Sequence, residues 1–312
     1  MDLTGRPLLD TEPDHLLFAG REEELGRVVR LARSGVNTVV VGERGSGKTT
    51  LLRQAAFVLR RDGGAPVFVE GRLADTPRRF LDLVRARLGL PPLPERADDP
   101  IELAALVGSL REGIGEDLLV VLVDEIAPEV AATVFGRLRD EVWQIPITWV
   151  VAGTPDDVVA LRTPPADAFF EAAVVLDDLD RDGQRRLLEA RLGEEGAAIA
   201  ARVDEGNPRR LLALARAVKE GATVEGRQEW ERAREERLAE LGRPARMLMA
   251  ELESLGAASA SDERLLRRLG WTRPRAVQVL RELEDAGLVT ASYARGPGGG
   301  RQKVYRPVEG GA

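Results

Sequence analysis

The chain has 312 residues, 44% of them hydrophobic, with no cysteine, one histidine (His15) and three lysines beside forty-two arginines. Disulfide frameworks, thiolate nucleophiles, cysteine-ligated zinc or iron–sulfur clusters and sites needing two imidazoles are excluded by these counts alone. The net charge of −7 is uneven: twelve basic against seven acidic residues give 243–308 a charge of +5 and leave −12 for the remainder, so a basic C-terminal module follows an acidic body.

The length suggests two or three domains. The longest apolar run, Leu118 to Val123, is far short of the roughly 20 residues of a membrane span, and Met1-Asp-Leu-Thr-Gly5 lacks a basic region followed by an apolar one. A cytoplasmic protein with no membrane partner is expected. Codon bias toward arginine is the bland account of the lysine scarcity. It also makes any retained lysine informative.

In chain order, an amphipathic helix over Glu22–Arg33 precedes five short β-branched runs separated by helical patterns: Thr38–Val41, Pro66–Val69, Leu118–Val123, Ile147–Ala152 and Ala173–Leu176. All five are apolar throughout, as parallel strands covered on both faces are. The prediction is an α/β fold, a three-layer sandwich around a parallel sheet. The helical period then takes over in Arg181–Leu192, Ala197–Asp204, Pro208–Lys219 and Gln228–Leu241. Further helices are expected over Ala245–Leu255, Asp262–Leu269 and Arg273–Ala286, then a strand from Gly287 and a hairpin over Tyr293–Tyr305 with Gly296-Pro-Gly-Gly-Gly300 at its tip.

The first strand runs into Gly42-Glu43-Arg44-Gly45-Ser46-Gly47-Lys48-Thr49-Thr50, which matches the phosphate-loop pattern G-x-x-x-x-G-K-[ST], with a helix-compatible stretch after it. Gly42, Gly45 and Gly47 let the backbone N–H groups around Ser46 and the helix N-terminus approach phosphate oxygens. Lys48 would reach the β- and γ-phosphates, and the Thr49 hydroxyl would join the Mg²⁺ shell, with Thr50 beside it. The third strand ends in Asp124-Glu125, at the carboxyl edge where α/β sheets place ligands. Asp124 would hold the Mg²⁺ shell and Glu125 would act as general base toward water. ATP and Mg are the expected cofactors, and hydrolysis is preferred to binding alone because the Glu is present.

These motifs resemble the AAA+ and STAND ATPases, P-loop NTPases of the origin-recognition-like layout with a C-terminal winged helix, over most of the chain. The resemblance implies a P-loop ATPase core at 1–176, a helical lid at 177–241 and a winged helix-turn-helix domain at 242–312. Phe18-Ala-Gly-Arg21-Glu-Glu-Glu-Leu25 is similar to the box that packs near the adenine, which implicates Arg21. Thr154, just past the fourth strand, stands where the family places a polar sensor of the γ-phosphate. Gly206-Asn207-Pro208-Arg209-Arg210 resembles the lid motif. There Asn207 reads as an N-cap, Pro208 would pack against the base, and Arg209 or Arg210 would meet the γ-phosphate. Two arginines in a first helical turn oppose the helix dipole, which makes sense beside an anion. An arginine finger for a neighbouring subunit is not evident: Phe169 to Ala173 lacks arginine and Arg162 is the nearest, which leaves room for a slow or partner-stimulated switch.

In the basic module, Ala276, Val277, Leu280 and Leu283 are read as the inward stripe of a recognition helix capped by Thr272. Arg273, Arg275 and Gln278 would then face double-stranded DNA, and Arg295, Arg301 and Lys303 would arm the wing. Glu282, Glu284 and Asp285 restrict any DNA approach to the first two turns. Two readings follow: a switch ATPase whose nucleotide state controls DNA engagement, with ATP-dependent self-association, or a STAND-like regulatory ATPase whose winged helix meets a protein partner or is autoinhibitory.

Overall fold

The computed structural model describes residues 3–91, 100–114, 119–159, 161–221, 223–295 and 301–308. The chain divides into two compact units, residues 1–215 and 216–312. Among the described residues, no helix is long and apolar enough to cross a membrane.

The first unit opens with α1 (Glu12–His15) and α2 (Glu22–Arg33), then alternates β1 (Thr38–Gly42), α3 (Lys48–Arg61), β2 (Val67–Glu70), α4 (Pro77–Arg87), α5 (Pro100–Ile114) and β3 (Leu119–Asp124). Two short helices follow, α6 (Pro128–Ala131) and α7 (Arg139–Val142), with a π-helical stretch, Ala132–Arg137, between them. Next come β4 (Ile147–Gly153), β5 (Ala172–Leu176), α8 (Arg181–Leu192), α9 (Glu194–Ala200) and α10 (Pro208–Lys219). The strands form one parallel sheet in the order β2-β3-β4-β1-β5, so β4 stands between the phosphate-loop strand and the strand of the acid pair.

Side-chain parity in the strands builds both cores. Val39, Val41, Val121, Val123, Trp149 and Val151 join Phe80, Leu81, Leu106 and Leu110 of α4 and α5 on one face. Val40, Leu122, Val150, Ala152 and Val174 join Val28, Leu51, Leu52 and Ala55 of α2 and α3 on the other. Burial on both faces is what the unbroken apolar strands predict. The five strands lie within a residue or two of their expected bounds. The helix expected over Ala197–Asp204 instead spans Glu194–Ala200: Gly193 ends α8 at a φ of +67° and α9 starts at once, with Glu194 and Glu195 favourably placed in its first turn.

The second unit contains α11 (Val224–Leu241), α12 (Arg243–Leu255), α13 (Glu263–Leu269), α14 (Arg273–Asp285) and an antiparallel pair, β6 (Val289–Arg295) and β7 (Arg301–Pro307). An isolated bridge between Ala258 and Tyr305 adds a third extended segment beside β7. Leu238, Leu248, Leu252, Leu265, Leu280, Leu283 and Tyr305 share its core. The inward stripe of α14 is Ala276, Val279, Leu280 and Leu283, so Val279 takes the place expected of Val277. The i, i+3, i+4, i+7 spacing explains the correction: Val277 lies at the edge of that stripe and is half-buried. Thr272 sits at the N-cap position without a side-chain capping bond. The tip segment 296–300 lies outside the described residues.

Candidate functional site: the phosphate loop and the acid pair

β1 is fully buried and delivers the chain into the loop at Gly42. α3 starts directly after Gly47, which has a φ of +101°. At Gly45 the need for glycine is twofold: φ is +86°, and a Cβ there would lie 2.6 Å from Asn207 Oδ1. Lys48 is buried, with Nζ donating to the carbonyls of Gly42 (2.7 Å) and Glu43 (3.0 Å). Burial lowers its pKa from the ordinary lysine value, and the nearby carboxylates of Glu125 and Asp124 oppose that shift. The buried hydroxyl of Ser46 has no hydrogen-bond partner among the described residues. The Thr50 hydroxyl accepts from Leu8 N at 3.2 Å, which ties the N-terminal segment to the first turn of α3.

That segment is anchored by a polar hub. Asp14 accepts from Arg6 Nη1 at 2.6 Å and from Leu9 N at 2.6 Å, and Gln54 of α3 donates to Leu9 O at 2.7 Å. The hydrogen-bonded Arg6 guanidinium brings the Asp14 pKa down to about 2.

Parity again explains the acid pair. Leu122 and Asp124 lie on the face covered by α3, so the Asp124 carboxylate meets the first turn of that helix. Thr49 Oγ1 donates to Asp124 Oδ2 at 2.8 Å, while buried Asp124 Oδ1 has no hydrogen-bond partner among the described residues. Desolvation raises the Asp124 pKa to about 6 despite the Thr49 hydrogen bond, and Glu125 adds to the rise. Glu125 continues the ladder through its N–H to Ala152 O (3.0 Å) but has a φ of +54°, a left-handed conformation rare for a side chain of this kind. Gly71, after β2, makes room for that turn: a Cβ there would lie 2.4 Å from the Glu125 carbonyl oxygen. Arg72 follows, 4.0 Å from the Glu125 carboxylate. Nothing in the local pattern around Arg72 had marked it.

Thr154 emerges from β4, between the loop and the acids. Its hydroxyl donates to Asp157 Oδ2 at 2.6 Å, and Thr154 N donates to the same oxygen at 3.0 Å. Arg21 is buried, paired with Glu24 at 2.7 Å and hydrogen-bonded to the Asp177 carbonyl, so it ties the box to the chain leaving β5. At the lid motif, Asn207 caps α10 as its sequence position predicts, its Oδ1 accepting from Arg209 N (3.1 Å) and Arg210 N (3.3 Å). Pro208 is half-buried, the Arg209 and Arg210 side chains are exposed, and Arg210 pairs with Glu205 at 3.2 Å. The motif comes onto the phosphate loop through Asn207 Nδ2 to Arg44 O (3.0 Å) and Arg209 N to Gly45 O (3.3 Å).

In the second unit, Arg273, Arg275 and Gln278 are exposed on α14. Arg275 donates to Gln278 (2.9 Å), which donates to Glu282 (2.9 Å), and the Arg275 guanidinium lies 5.7 Å from the Trp271 ring centroid. Lys303 donates to Glu284 at 2.7 Å, and that contact raises its pKa. Arg295 and Arg301 pair across the hairpin by backbone register, and their side chains lie outside the described residues.

Residues 32–160, which hold the loop and both acids, match the AAA domain family. No curated protein matches the chain. Its fold is similar to three solved structures. The ORC2 protein of Aeropyrum pernix, solved as ADPNP-ADP complexes, is 17% identical with a TM-score of 0.57, over 92% of this chain and 89% of that one. The Aeropyrum pernix ORC1 protein in complex with DNA is 19% identical with a TM-score of 0.51, over 97% and 93%. CDC6P from Pyrobaculum aerophilum is 17% identical with a TM-score of 0.51, over 92% and 89%. The loop and the acid pair thus lie within a stretch that matches an AAA domain, in a chain whose fold is similar to that of these ORC and CDC6 structures.

Proposed function

We infer that the protein is an ATP-hydrolysing switch whose nucleotide state controls how a C-terminal winged helix engages DNA. The observation that carries the catalytic part is the Thr49–Asp124 contact, with a second, buried Asp124 oxygen left unpartnered among the described residues and Glu125 next in the chain. This donor set fits Mg²⁺, a hard cation that takes oxygen ligands, so Thr49 and Asp124 would hold it, and its charge would offset that of the phosphates.

Lys48 and the loop N–H groups at Gly45 to Thr49 bind and orient the phosphates. The Glu125 carboxylate takes a proton from water as its oxygen attacks the γ-phosphorus and ADP departs. Thr154 reads the γ-phosphate by exchanging its hydrogen bond to Asp157 for one to a phosphate oxygen. Arg209 or Arg210 meets the same phosphate from the lid segment.

The DNA part is supported by the order of elements that ends the second unit: α12, a short extended segment at Ala258, α13, α14 and the antiparallel β6–β7 hairpin, the order of a winged helix. The basic balance of the module and the exposed Arg273, Arg275 and Gln278 add to it, as does the fold shared with a protein solved on DNA. One observation favours the second reading, a STAND-like regulator whose winged helix meets a protein: Gln278 and Lys303 are both bonded to acids of α14, Glu282 and Glu284.

Steady-state ATP turnover of the wild type against Glu125→Gln and Lys48→Ala tests the catalytic part. Glu125→Gln is expected to bind nucleotide but lose turnover, and equal turnover in all three proteins overturns hydrolysis at this site. Anisotropy of a labelled duplex, titrated with salt with and without ATP, separates the DNA and protein readings. A steep salt dependence supports the first, and no binding at low salt sinks it.

A further inference from the structure

The geometry points to Asn207 as a positioning residue that couples the phosphate loop to helix α10, so that the helix reads nucleotide occupancy through the loop's own backbone carbonyls. This rests on the reading of the loop as an ATP site and adds how that site is regulated.

Asn207 is 5% exposed and uses both ends of its amide. Nδ2 donates to Arg44 O at 3.0 Å, while Oδ1 accepts from the first-turn amides of α10, Arg209 N at 3.1 Å and Arg210 N at 3.3 Å. The orientation of the amide is forced. Turned over, its oxygen would face the Arg44 carbonyl and its NH₂ would face two N–H donors. Arg209 N reaches the adjacent Gly45 carbonyl at 3.3 Å, so α10 holds two consecutive outward carbonyls of the loop. The Asn207 main chain is fixed in turn by its N–H to Glu205 Oε1 at 2.8 Å.

A phosphate loop directs its N–H groups inward to the anion and leaves its carbonyls outside. The carbonyls of Arg44 and Gly45 are the ones α10 has taken. Wrapping residues 43–48 around phosphates must orient those carbonyls, and an oriented carbonyl strengthens the Asn207 bond. By linkage, α10 held in place pre-organises the loop and tightens nucleotide binding by the same factor. The contact is independent of any meeting between Arg209 or Arg210 and the γ-phosphate, so it operates with a diphosphate as well.

Asn207→Asp in the full chain separates this role from simple capping. Aspartate keeps the acceptor that caps α10 but sets an oxygen against the Arg44 carbonyl. The variant is expected to fold but melt below the wild type, because the contact exists without nucleotide, and to bind a fluorescent ATP analogue several-fold more weakly, by the part of the contact that nucleotide strengthens. In hydrogen exchange at saturating nucleotide, protection of residues 42–49 is expected to persist while the nucleotide-induced protection of residues 209–212 is lost. Asn207→Ser, which keeps a capping hydroxyl but does not span to Arg44, is expected to show the same split. Wild-type affinity in both variants, or undiminished relay to residues 209–212, overturns the proposal. Failure of the wild type itself to bind nucleotide overturns the reading of the site instead.

Discussion

The Arg72 guanidinium stands 4.0 Å from the Glu125 carboxylate, and both side chains are 44% exposed. On the proposed reading of Glu125 as general base, a guanidinium facing its carboxylate competes with the attacking water for the same oxygens. Exposed pairs of this kind are worth roughly 0.2–1 kcal/mol, so Arg72→Ala is expected to raise kcat by no more than about fivefold. Steady-state turnover at saturating ATP checks this, and a fall in kcat would make Arg72 an orienting group instead.

Asp124 gives a pH signature. Its folded-state pKa of about 6 lies above the ordinary carboxylate value of 3.8, so the folded protein binds this proton more tightly than the unfolded chain does. Stability from this group is complete below pH 3.8, declines as pH rises through 6 and is absent above it. A charged Asp124 at neutral pH thus costs about 3 kcal/mol before cation binding. Asp124→Asn is expected to unfold at higher denaturant concentration than the wild type at pH 7.5 in the absence of nucleotide and Mg²⁺. It is expected to lose Mg²⁺-dependent nucleotide affinity, which in the wild type falls as pH drops below about 6.

For the basic module, the Lys303–Glu284 ion pair sets the expectation. Glu284→Gln removes the competing carboxylate and frees Lys303 for phosphate. Duplex affinity is expected to rise and the salt slope of log K to steepen by about one. Arg273→Ala, which takes away an exposed arginine at the N-terminal end of α14, is expected to shallow that slope by a similar amount. Anisotropy titrations over a salt series read both.

Leu8 is 1% exposed although it belongs to an irregular N-terminal segment. Leu8→Ala is expected to cost about 2–5 kcal/mol in urea unfolding, as for a core leucine, and to loosen the Leu8 N bond to Thr50 at the start of α3. A loss under 1 kcal/mol would show the segment to be dispensable to the first unit.

The loop and the acid pair were readable as candidates because each is a run of consecutive residues: the glycines, Lys48 and Thr49 form one stretch, and Asp124 ends an unmistakable buried strand. The sheet was legible for the same reason. Partners far apart in sequence were not. Arg44 and Asn207 are 163 residues apart, and a capping asparagine looks alike whether or not its NH₂ finds a carbonyl. Arg72 and Glu125 meet because β2 and β3 pair with Glu70 opposite Asp124, a register that single-strand patterns do not encode. The stripe of α14 shifted from Val277 to Val279 because the two valines border the Ala276, Leu280 and Leu283 face on opposite sides, and the i, i+3, i+4, i+7 spacing takes in only Val279. The boundary between the compact units falls inside α10, at Ala215, where the helix runs on unbroken and composition gives no signal.

The burial of Lys48 against the Gly42 and Glu43 carbonyls has a practical corollary. It is the only lysine before Lys219, so within residues 1–215 an amine-selective acylating reagent has a single side-chain target, at the mouth of the phosphate loop. Mass-spectrometric footprinting of that one peptide would report how often the loop opens to free Lys48 from those carbonyls, while Lys303 would serve as an internal gauge of what the hairpin touches.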